Sequence, residues 1–173
     1  MALTMDQLKR LLDSQGLRYF LDPRRDAIML TASGLFGKYQ SVILLDGDGR
    51  ILQFRSVDYR TCPANNPHLF AVLKVLGEVN YRLRGVKFGW DPQDGEITVY
   101  SDLWIEDGSV TQEQFARMLQ IFFSGIDLSS VRLGQTIDSG NDPGELSPED
   151  IAKQQHSRGS SRPPAPDDDD RHI

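Results

Sequence analysis

Three stretches of the chain carry apolar residues at the three- and four-residue spacing of an amphipathic helix. The first and the third begin with a Thr-x-x-Gln capping box, at Thr4 and at Thr111. The second begins at Asn66-Pro67, a helix cap followed by a first-turn proline. The three apolar stripes are Leu8, Leu11 and Leu12; Leu69, Phe70, Val72, Leu73, Val75, Leu76 and Val79; and Phe115, Met118, Leu119, Phe122 and Ile126. The pattern predicts three helices.

Short apolar or alternating segments lie between these helices, and turn-forming residues bound each of them. The predicted strands cover residues 19–21, 27–31, 39–45, 51–55, 86–90 and 96–105. Turn sequences such as Asp46-Gly47-Asp48-Gly49 join consecutive strands as hairpins, which keeps neighbouring strands antiparallel. The element order is α-ββββ-α-ββ-α. Because helices do not alternate with single strands, we expect an α+β fold with a twisted antiparallel sheet of five to six strands and three helices.

The composition of the chain changes after Gly134. Residues 135–173 contain no Phe, Tyr, Trp, Val, Met or Cys, and residues 167–170 are four consecutive aspartates. A segment of this kind buries too little apolar surface to offset its ordering entropy, which is about 1–2 kcal/mol per backbone residue. We therefore predict one domain over residues 1–134 and a disordered acidic tail over residues 135–173.

The formal net charge of −6 belongs mostly to that tail. Residues 1–134 contain 15 Lys and Arg against 16 Asp and Glu, whereas residues 135–173 contain 4 against 9. A nearly neutral domain lacks the excess positive charge that binds phosphate backbones, so we expect no nucleic-acid partner. The apolar runs fall short of the roughly 18 residues that a membrane span needs, and the first 15 residues carry charges unlike those of a secretion signal. These features favour a cytoplasmic protein without a membrane partner.

Cys62 and His68, the only cysteine and histidine before the tail, are the first candidates for catalysis. A nucleophilic thiol needs a base, and the base needs an orienting partner, which Asp58 could supply. In the alternative interpretation Cys62 is a small buried filler beside Pro63, and His68 lies in the first turn of a helix. A helix N-terminus disfavours an imidazolium. We therefore expect Cys62 to be structural.

The acidic turns do not match a known metal or catalytic motif. In an EF-hand loop beginning at Asp46, the third ligand, the glycine and the closing glutamate would be Arg50, Ile51 and Val57. The later carboxylates, from Asp91 onward, lie largely in turns, where aspartate hydrogen-bonds the backbone. The sequence has no phosphate-binding glycine loop and no Gly-x-Ser-x-Gly elbow. We therefore expect no catalytic residue, no metal and no cofactor.

An aromatic pair on the last predicted strand is the candidate partner-binding site. Aliphatic residues alternate there with polar and aromatic ones, so an aliphatic face toward the helices places Tyr100 and Trp104 on the opposite face. Exposed aromatic residues are common anchors for a protein partner. The alternative is that the second helix, or a second copy of the chain, covers them.

Residues 86–115 resemble the YbjN-type family of bacterial proteins, which are labelled sensory transduction regulators. The resemblance extends over about residues 3–133, and residues 80–85 with Gly89-Trp90 are similar to cyanobacterial members. The matching features are Gly16-Leu17-Arg18-Tyr19-Phe20-Leu21-Asp22, Asp91, Asp94-Gly95-Glu96, Asp102-Leu103, Glu106-Asp107 and Thr111.

The resemblance implies a fold similar to that of type III secretion chaperones, which are commonly dimeric and bind extended segments of partner proteins without catalysis. The family has no known catalytic residues to carry over. We therefore expect a non-catalytic adaptor or chaperone-like module that holds a segment of a partner protein. The alternative is a small-ligand-sensing regulatory protein, which would need an apolar pocket with convergent polar groups. An enzyme is the least favoured class.

The second predicted helix is apolar over more than half of its circumference, so both of its sides need cover. The sheet can cover one side, and another helix or a second copy of the chain can cover the other. In the chaperones that the chain resembles, this helix often lies at the dimer interface. We therefore expect a two-fold homodimer with Leu69, Val72, Leu73 and Leu76 at its interface.

Overall fold

The computed structural model of the protein describes residues 2–22, 27–105 and 109–159, except the side chains of residues 154, 155 and 157–159. The helices are α1 (Met5–Ser14), α2 (Leu69–Arg82), α3 (Gln112–Ser139) and α4 (Pro148–Gly159). The strands are β1 (Tyr19–Asp22), β2 (Ala27–Ser33), β3 (Lys38–Asp46), β4 (Ile51–Val57), β5 (Arg60–Thr61), β6 (Lys87–Trp90) and β7 (Glu96–Trp104).

The seven strands form one antiparallel sheet in which β1, β2, β3, β4 and β7 are successive neighbours. Tyr100 of β7 pairs with Arg55 of β4 and with Lys87 of β6, so β4 and β6 lie on opposite edges of β7. Ile97 is likewise flanked by Arg60 of β5 and by β6, so β5 lies on the β4 side. The seven strands therefore occupy six positions across the sheet. The predicted α+β fold with an antiparallel sheet is confirmed.

An irregularity between β4 and β5 explains why the sequence pattern did not reveal β5. Arg55 opposes Tyr100 and Arg60 opposes Ile97. The chain therefore advances five residues from β4 to β5 while β7 advances three, which leaves two extra residues. Asp58 takes up part of the excess with a left-handed backbone (φ 49°). β5 therefore continues the line of β4 after two extra residues.

Helices α1, α2 and α3 share one core with the inner face of the sheet. At the centre, the ring of Phe54 on β4 lies 5.8 Å from that of Phe115 and 5.6 Å from that of Phe122, both on α3. The apolar stripe of α1, formed by Leu8 and its neighbours, is buried as its periodicity predicted. One face of the sheet is therefore the core face.

The predicted helix starts are accurate at α1 and α3 and early by a few residues at α2. Thr4 accepts the backbone N–H of Gln7 through its side chain, and the Gln7 side chain accepts the N–H of Thr4, at 3.2 and 2.8 Å. The same capping box is present at Thr111. In contrast, Asn66 accepts the N–H of His68 in a turn before α2. The Asn-Pro cap signal therefore marks that turn, and α2 begins at Leu69.

The C-terminal segment differs from its expected disorder as far as it is described. The predicted boundary at Gly134 lies inside α3, which ends at Gly140 with a left-handed cap (φ 74°). Thr136 is fully buried. Its hydroxyl donates to the carbonyl of Arg132 at 2.8 Å, so burial leaves no unsatisfied polar group there. Helix α4 follows. Residues 160–173 of the predicted tail lie outside the described residues.

Among the described helices, none combines the length and the apolarity needed to cross a bilayer.

Candidate functional site: the open face of the sheet

The sheet has a second face, which points away from α1, α2 and α3 and is here called the open face. Strand register fixes which side chains share it, since alternate residues of each strand lie on the same side. One row runs across the whole sheet from β1 to β6. It consists of Phe20, Met29, Val42, Arg55, Tyr100 and Lys87. Ala27, Leu44, Gln53 and Asp102 form the row beside it.

Apolar side chains form a continuous path on the open face. Its members, here called the apolar path, are Phe20, Met29, Val42, Leu44, Ile51 and Trp104. Phe20 is 78% exposed and Trp104 is 70% exposed. Ile51 and Trp104 are direct cross-strand partners, so the path reaches β7. A contiguous apolar surface of this kind marks an interaction site more often than scattered apolar residues do.

Two cationic side chains lie beside the apolar path, next to the ring of Tyr100. The guanidinium of Arg55 lies 5.6 Å from the centre of the Tyr100 ring, and the ammonium of Lys87 lies 5.2 Å from it. Both distances suit a cation–π contact. Arg55 also forms a 3.4 Å ion pair with Glu96 on β7. The open face therefore offers an apolar surface beside two cations, Arg55 and Lys87, and the Arg55 charge is already paired with Glu96.

The two residues predicted to bind a partner, Tyr100 and Trp104, both lie on the open face. Trp104 is largely exposed, and Tyr100 is half-buried between its two cations. Sequence reasoning missed the rest of the apolar path. Because β3 is apolar on both faces through Val42 and its neighbours, alternation does not show which of its side chains face away from the core. That uninterrupted apolar run in a strand of an antiparallel sheet was the available signal.

The four predicted dimer residues occupy different environments on α2. Val72 and Leu76 are buried in the core of the single chain, which corrects their expected place at an interface. Leu69 is half-buried, and Leu73 is 39% exposed. The reason is the orientation of α2 about its own axis, which turns Val72 and Leu76 toward the core together with Val75 and Val79. The exposed apolar residues of α2, here called the outer stripe, are Phe70, Leu73 and Tyr81.

The burial and the contacts of Cys62, the candidate nucleophile, indicate a structural role. Cys62 is fully buried, and burial raises the pKa of its thiol, which opposes formation of the nucleophilic thiolate. The carbonyl of Cys62 accepts the indole N–H of Trp90 at 2.8 Å, and its N–H donates to Gly95. His68 instead packs against Gly140, at the end of α3. Cys62 therefore fixes the β6–β7 hairpin to the chain before α2.

Of the candidate acidic residues that are described, Asp91 and Asp94 act in turns, whereas Glu96 and Asp102 lie on β7 and bind Arg55 and Gln53. The Asp91 carboxylate accepts the N–H of Gln93 at 2.8 Å, and the Asp94 carboxylate accepts the N–H of Glu96 at 2.9 Å. Glu106 and Asp107 lie outside the described residues. Within the described ranges, no three His, Cys, Asp or Glu side chains are grouped to hold a metal ion.

A buried carboxylate on α3, which the sequence analysis did not identify, anchors the turn between β2 and β3. Asp127 accepts the backbone N–H groups of Leu35 and Phe36 at 2.5 and 2.8 Å, and the hydroxyl of Tyr39 at 2.8 Å. Burial, together with the Asp127 charge, raises the pKa of Tyr39 to about 12. These bonds join the sheet to α3 on the core side, away from the open face.

A second buried charge lies between α2, α3 and the segment that follows α3. The Arg132 side chain is only 5% exposed, and it binds Asp142 through two 2.6 Å hydrogen bonds and Glu78 through a third. Hydrogen bonds from Arg132 hold the pKa values of both carboxyl groups below their usual range. Sequence reasoning could not pair Arg132 with Glu78, because 54 residues separate them along the chain.

The fold resembles those of solved structures. E. coli YbjN aligns with a TM-score of 0.56 and 22% identity over 78% of this chain and 92% of that one. ExsC in the ExsC–ExsE complex aligns with a TM-score of 0.53 and 16% identity, over 77% and 97%. The HopA1–SchA chaperone–effector complex aligns at 0.48 and 12%, over 69% and 86%. At these identities the likeness shows the fold.

A family model matches most of the chain, although no curated protein matches it. The matched region, residues 4–129, includes all the strands that the structure describes and the residues of the open face. The similarity to cyanobacterial members remains a prediction. The chain therefore belongs to the YbjN family, which is described as "Putative bacterial sensory transduction regulator".

Proposed function

We propose that this chain is a non-catalytic, chaperone-like adaptor that holds an extended segment of another protein on the open face of its sheet, in the cytoplasm. The observation that carries the proposal is the apolar path from Phe20 to Trp104. When one face of an antiparallel sheet is solvated, its residues are usually polar, so a continuous apolar surface there indicates a partner.

The chemistry of the open face specifies the kind of segment. An extended peptide directs every second side chain to the same side, so one apolar side of the peptide can lie on the apolar path. Lys87, whose ammonium lies beside the Tyr100 ring, favours an acidic group on the segment at that point. Trp104, the most exposed member of the pair predicted from the sequence, is the expected anchor. The proposed partner is therefore an apolar segment with an acidic residue at one end.

The comparisons support a binding role without supplying a partner. ExsC shares the fold and was solved as a complex with ExsE. The alternative, a small-ligand-sensing regulator, is favoured by one observation: a partly enclosed, largely apolar cavity of about 250 Å³ between α2, α3 and the C-terminal segment. Mass spectrometry under non-denaturing conditions separates the two functions, since a retained metabolite indicates sensing and a bound protein indicates an adaptor.

The direct test is the variant Trp104→Ser in co-purification from the native host. Removing the indole takes most of the anchor's apolar area from the open face, so we expect recovery of a stoichiometric partner to fall at least tenfold. The measurement is quantitative mass spectrometry of proteins eluted with the wild type and with each variant.

The matched control is Ile121→Ser, which removes an exposed apolar residue from α3, on the other side of the molecule. This variant should retain the partner. A partner that is lost equally from both variants, or from neither, would contradict binding at the open face.

We also propose a homodimer that forms through the outer stripe of α2. Phe70 is 78% exposed and Tyr81 is 90% exposed, and Leu73 lies between them along the helix. Of the interface residues predicted from the sequence, Leu73 belongs to this stripe, and Leu69 precedes it at the start of the helix. Because α2 and the open face belong to different sides of the domain, a dimer of this kind leaves both open faces accessible.

A further inference from the structure

The segment after α3 lies in a groove between α2 and α3. The groove walls are Val79 and Arg82 on α2, Leu83 directly after it, and Leu128, Ser129 and Arg132 on α3. Glu145, Leu146 and Ile151 of the segment cover them. All of these wall residues except Arg132 lie within the region that the family model matches, and the covering segment lies outside it. The segment therefore covers a surface that residues of the family-matched region form almost entirely.

Charges fix the segment in the groove. Arg132 holds the Asp142 carboxylate with two parallel hydrogen bonds, and Arg82 holds Glu145 at 2.8 Å. Glu78 lies between the two arginines and pairs with both, at 2.6 and 2.7 Å. Two-point binding of a carboxylate by a guanidinium is specific in geometry as well as strong. The groove therefore recognises two acidic residues that are three positions apart.

The segment fills the groove incompletely. Leu146 and Ile151 reach the apolar wall, and a cavity of about 250 Å³ remains beside them. Unfilled apolar volume represents contacts that a better-fitting occupant would make. The occupant present in this chain is therefore held by its ion pairs, by its covalent connection to α3 and by two aliphatic side chains that do not fill the groove.

From these contacts we propose that the α2–α3 groove is a second peptide-binding site, selective for segments with two acidic residues followed by an aliphatic one, and that residues 142–151 occupy it as a built-in ligand. The site is separate from the open face and does not depend on the function proposed there. The built-in ligand follows α3 directly, so its local concentration is in the millimolar range. A free segment of the same kind binds when the built-in one is weakened.

A labelled synthetic peptide with the sequence of residues 140–152 tests this proposal by fluorescence anisotropy. The receptor is the full chain carrying Asp142→Asn and Leu146→Ser, which weaken the built-in ligand and leave the groove walls intact. We expect the peptide to bind this variant at least tenfold more tightly than it binds the wild type. The control receptor, with Glu149→Gln at an exposed site on α4, should behave as the wild type does.

The peptide also has matched variants. Replacing its own Asp142 and Glu145 equivalents with Asn and Gln should abolish binding, and replacing its Leu146 equivalent with Phe should strengthen it several-fold by filling the cavity. Equal binding to variant and wild-type chains, binding that ignores the peptide carboxylates, or no binding to the variant would each overturn the proposal. If the double variant does not give the circular dichroism of the wild type, the full chain with Leu146→Ser alone takes its place, with the same required outcomes.

Discussion

Asp127 binds three groups that are 88 to 92 residues away from it in sequence. Its carboxylate is the acceptor for two backbone N–H groups of the β2–β3 turn and for the Tyr39 hydroxyl. Gly34 lies so close to this carboxylate that a side chain there would collide with it. The turn conformation, the glycine and the charge on α3 therefore form one unit.

We expect Asp127→Asn to lower the free energy of unfolding by about 3 kcal/mol. The amide keeps the shape of the side chain but loses its charge, and its NH₂ group faces a donor, which leaves a buried donor unsatisfied at about 1–3 kcal/mol in addition to the weakened bonds. Urea unfolding followed by tryptophan fluorescence measures the change. Asp138→Asn, at an exposed position of the same helix, is the control. Equal midpoints for the two variants would mean that the Asp127 bonds do not stabilise the fold.

At the scale of elements, the C-terminal half of α3 and the segment after it belong to the packed structure. Thr136 is fully buried, Ile137 packs against the core, and Asp142 holds Arg132. A chain that ends after Gly134 loses all three contacts and leaves the Arg132 guanidinium with Glu78 alone. Removing one partner of a buried charge is costly, because the remaining charge stays desolvated.

We therefore expect truncation after Gly134 to lower the melting temperature by at least 8 °C, whereas truncation after Gly159 should change it by less than 2 °C. The second expectation rests on the composition of residues 160–173, which are rich in Pro and Asp and contain no Phe, Tyr or Trp. Differential scanning calorimetry compares both with the full chain. A melting temperature that is the same for the chain ending at Gly134 and the chain ending at Gly159 would show that residues 135–159 add no stability.

The element pattern was predictable from the sequence where local signals decide the structure. Capping boxes at Thr4 and Thr111 act within four residues, so their positions agree with the structure. The end of α3 was not predictable, because burial of Thr136 depends on tertiary packing and not on composition. Likewise, alternation placed Trp104 on the open face, but the rest of the apolar path follows from strand register, which no single strand contains.

For the whole molecule, the arrangement of α2 bears on self-association. The core takes the inner side of the helix, and the outer stripe leaves Phe70 and Tyr81 almost fully exposed. We expect the wild type to sediment as a dimer at micromolar concentration and Phe70→Ser with Tyr81→Ser to sediment as a monomer, since the double change removes most of the exposed apolar area of α2. Analytical ultracentrifugation is the measurement.

The control for self-association is Phe20→Ser, which removes an equally exposed aromatic residue from the open face. It should leave the sedimentation of the dimer unchanged. A wild-type monomer at these concentrations, or a dimer that only Phe20→Ser disrupts, would exclude the outer stripe as the interface.

The order of strands has a consequence for how the chain is made. Strands β1 to β4 pair with their neighbours in sequence, so their hairpins can close soon after synthesis. The centre of their inner face, at Phe54, stays uncovered until α3 exists, and 68 residues separate Phe54 from its partner Phe122. At about 5–20 residues per second, a ribosome needs several seconds to cross that interval. During this time the unfinished sheet of β1 to β4 is apolar on both faces, so newly made chains need protection from one another before the domain is complete.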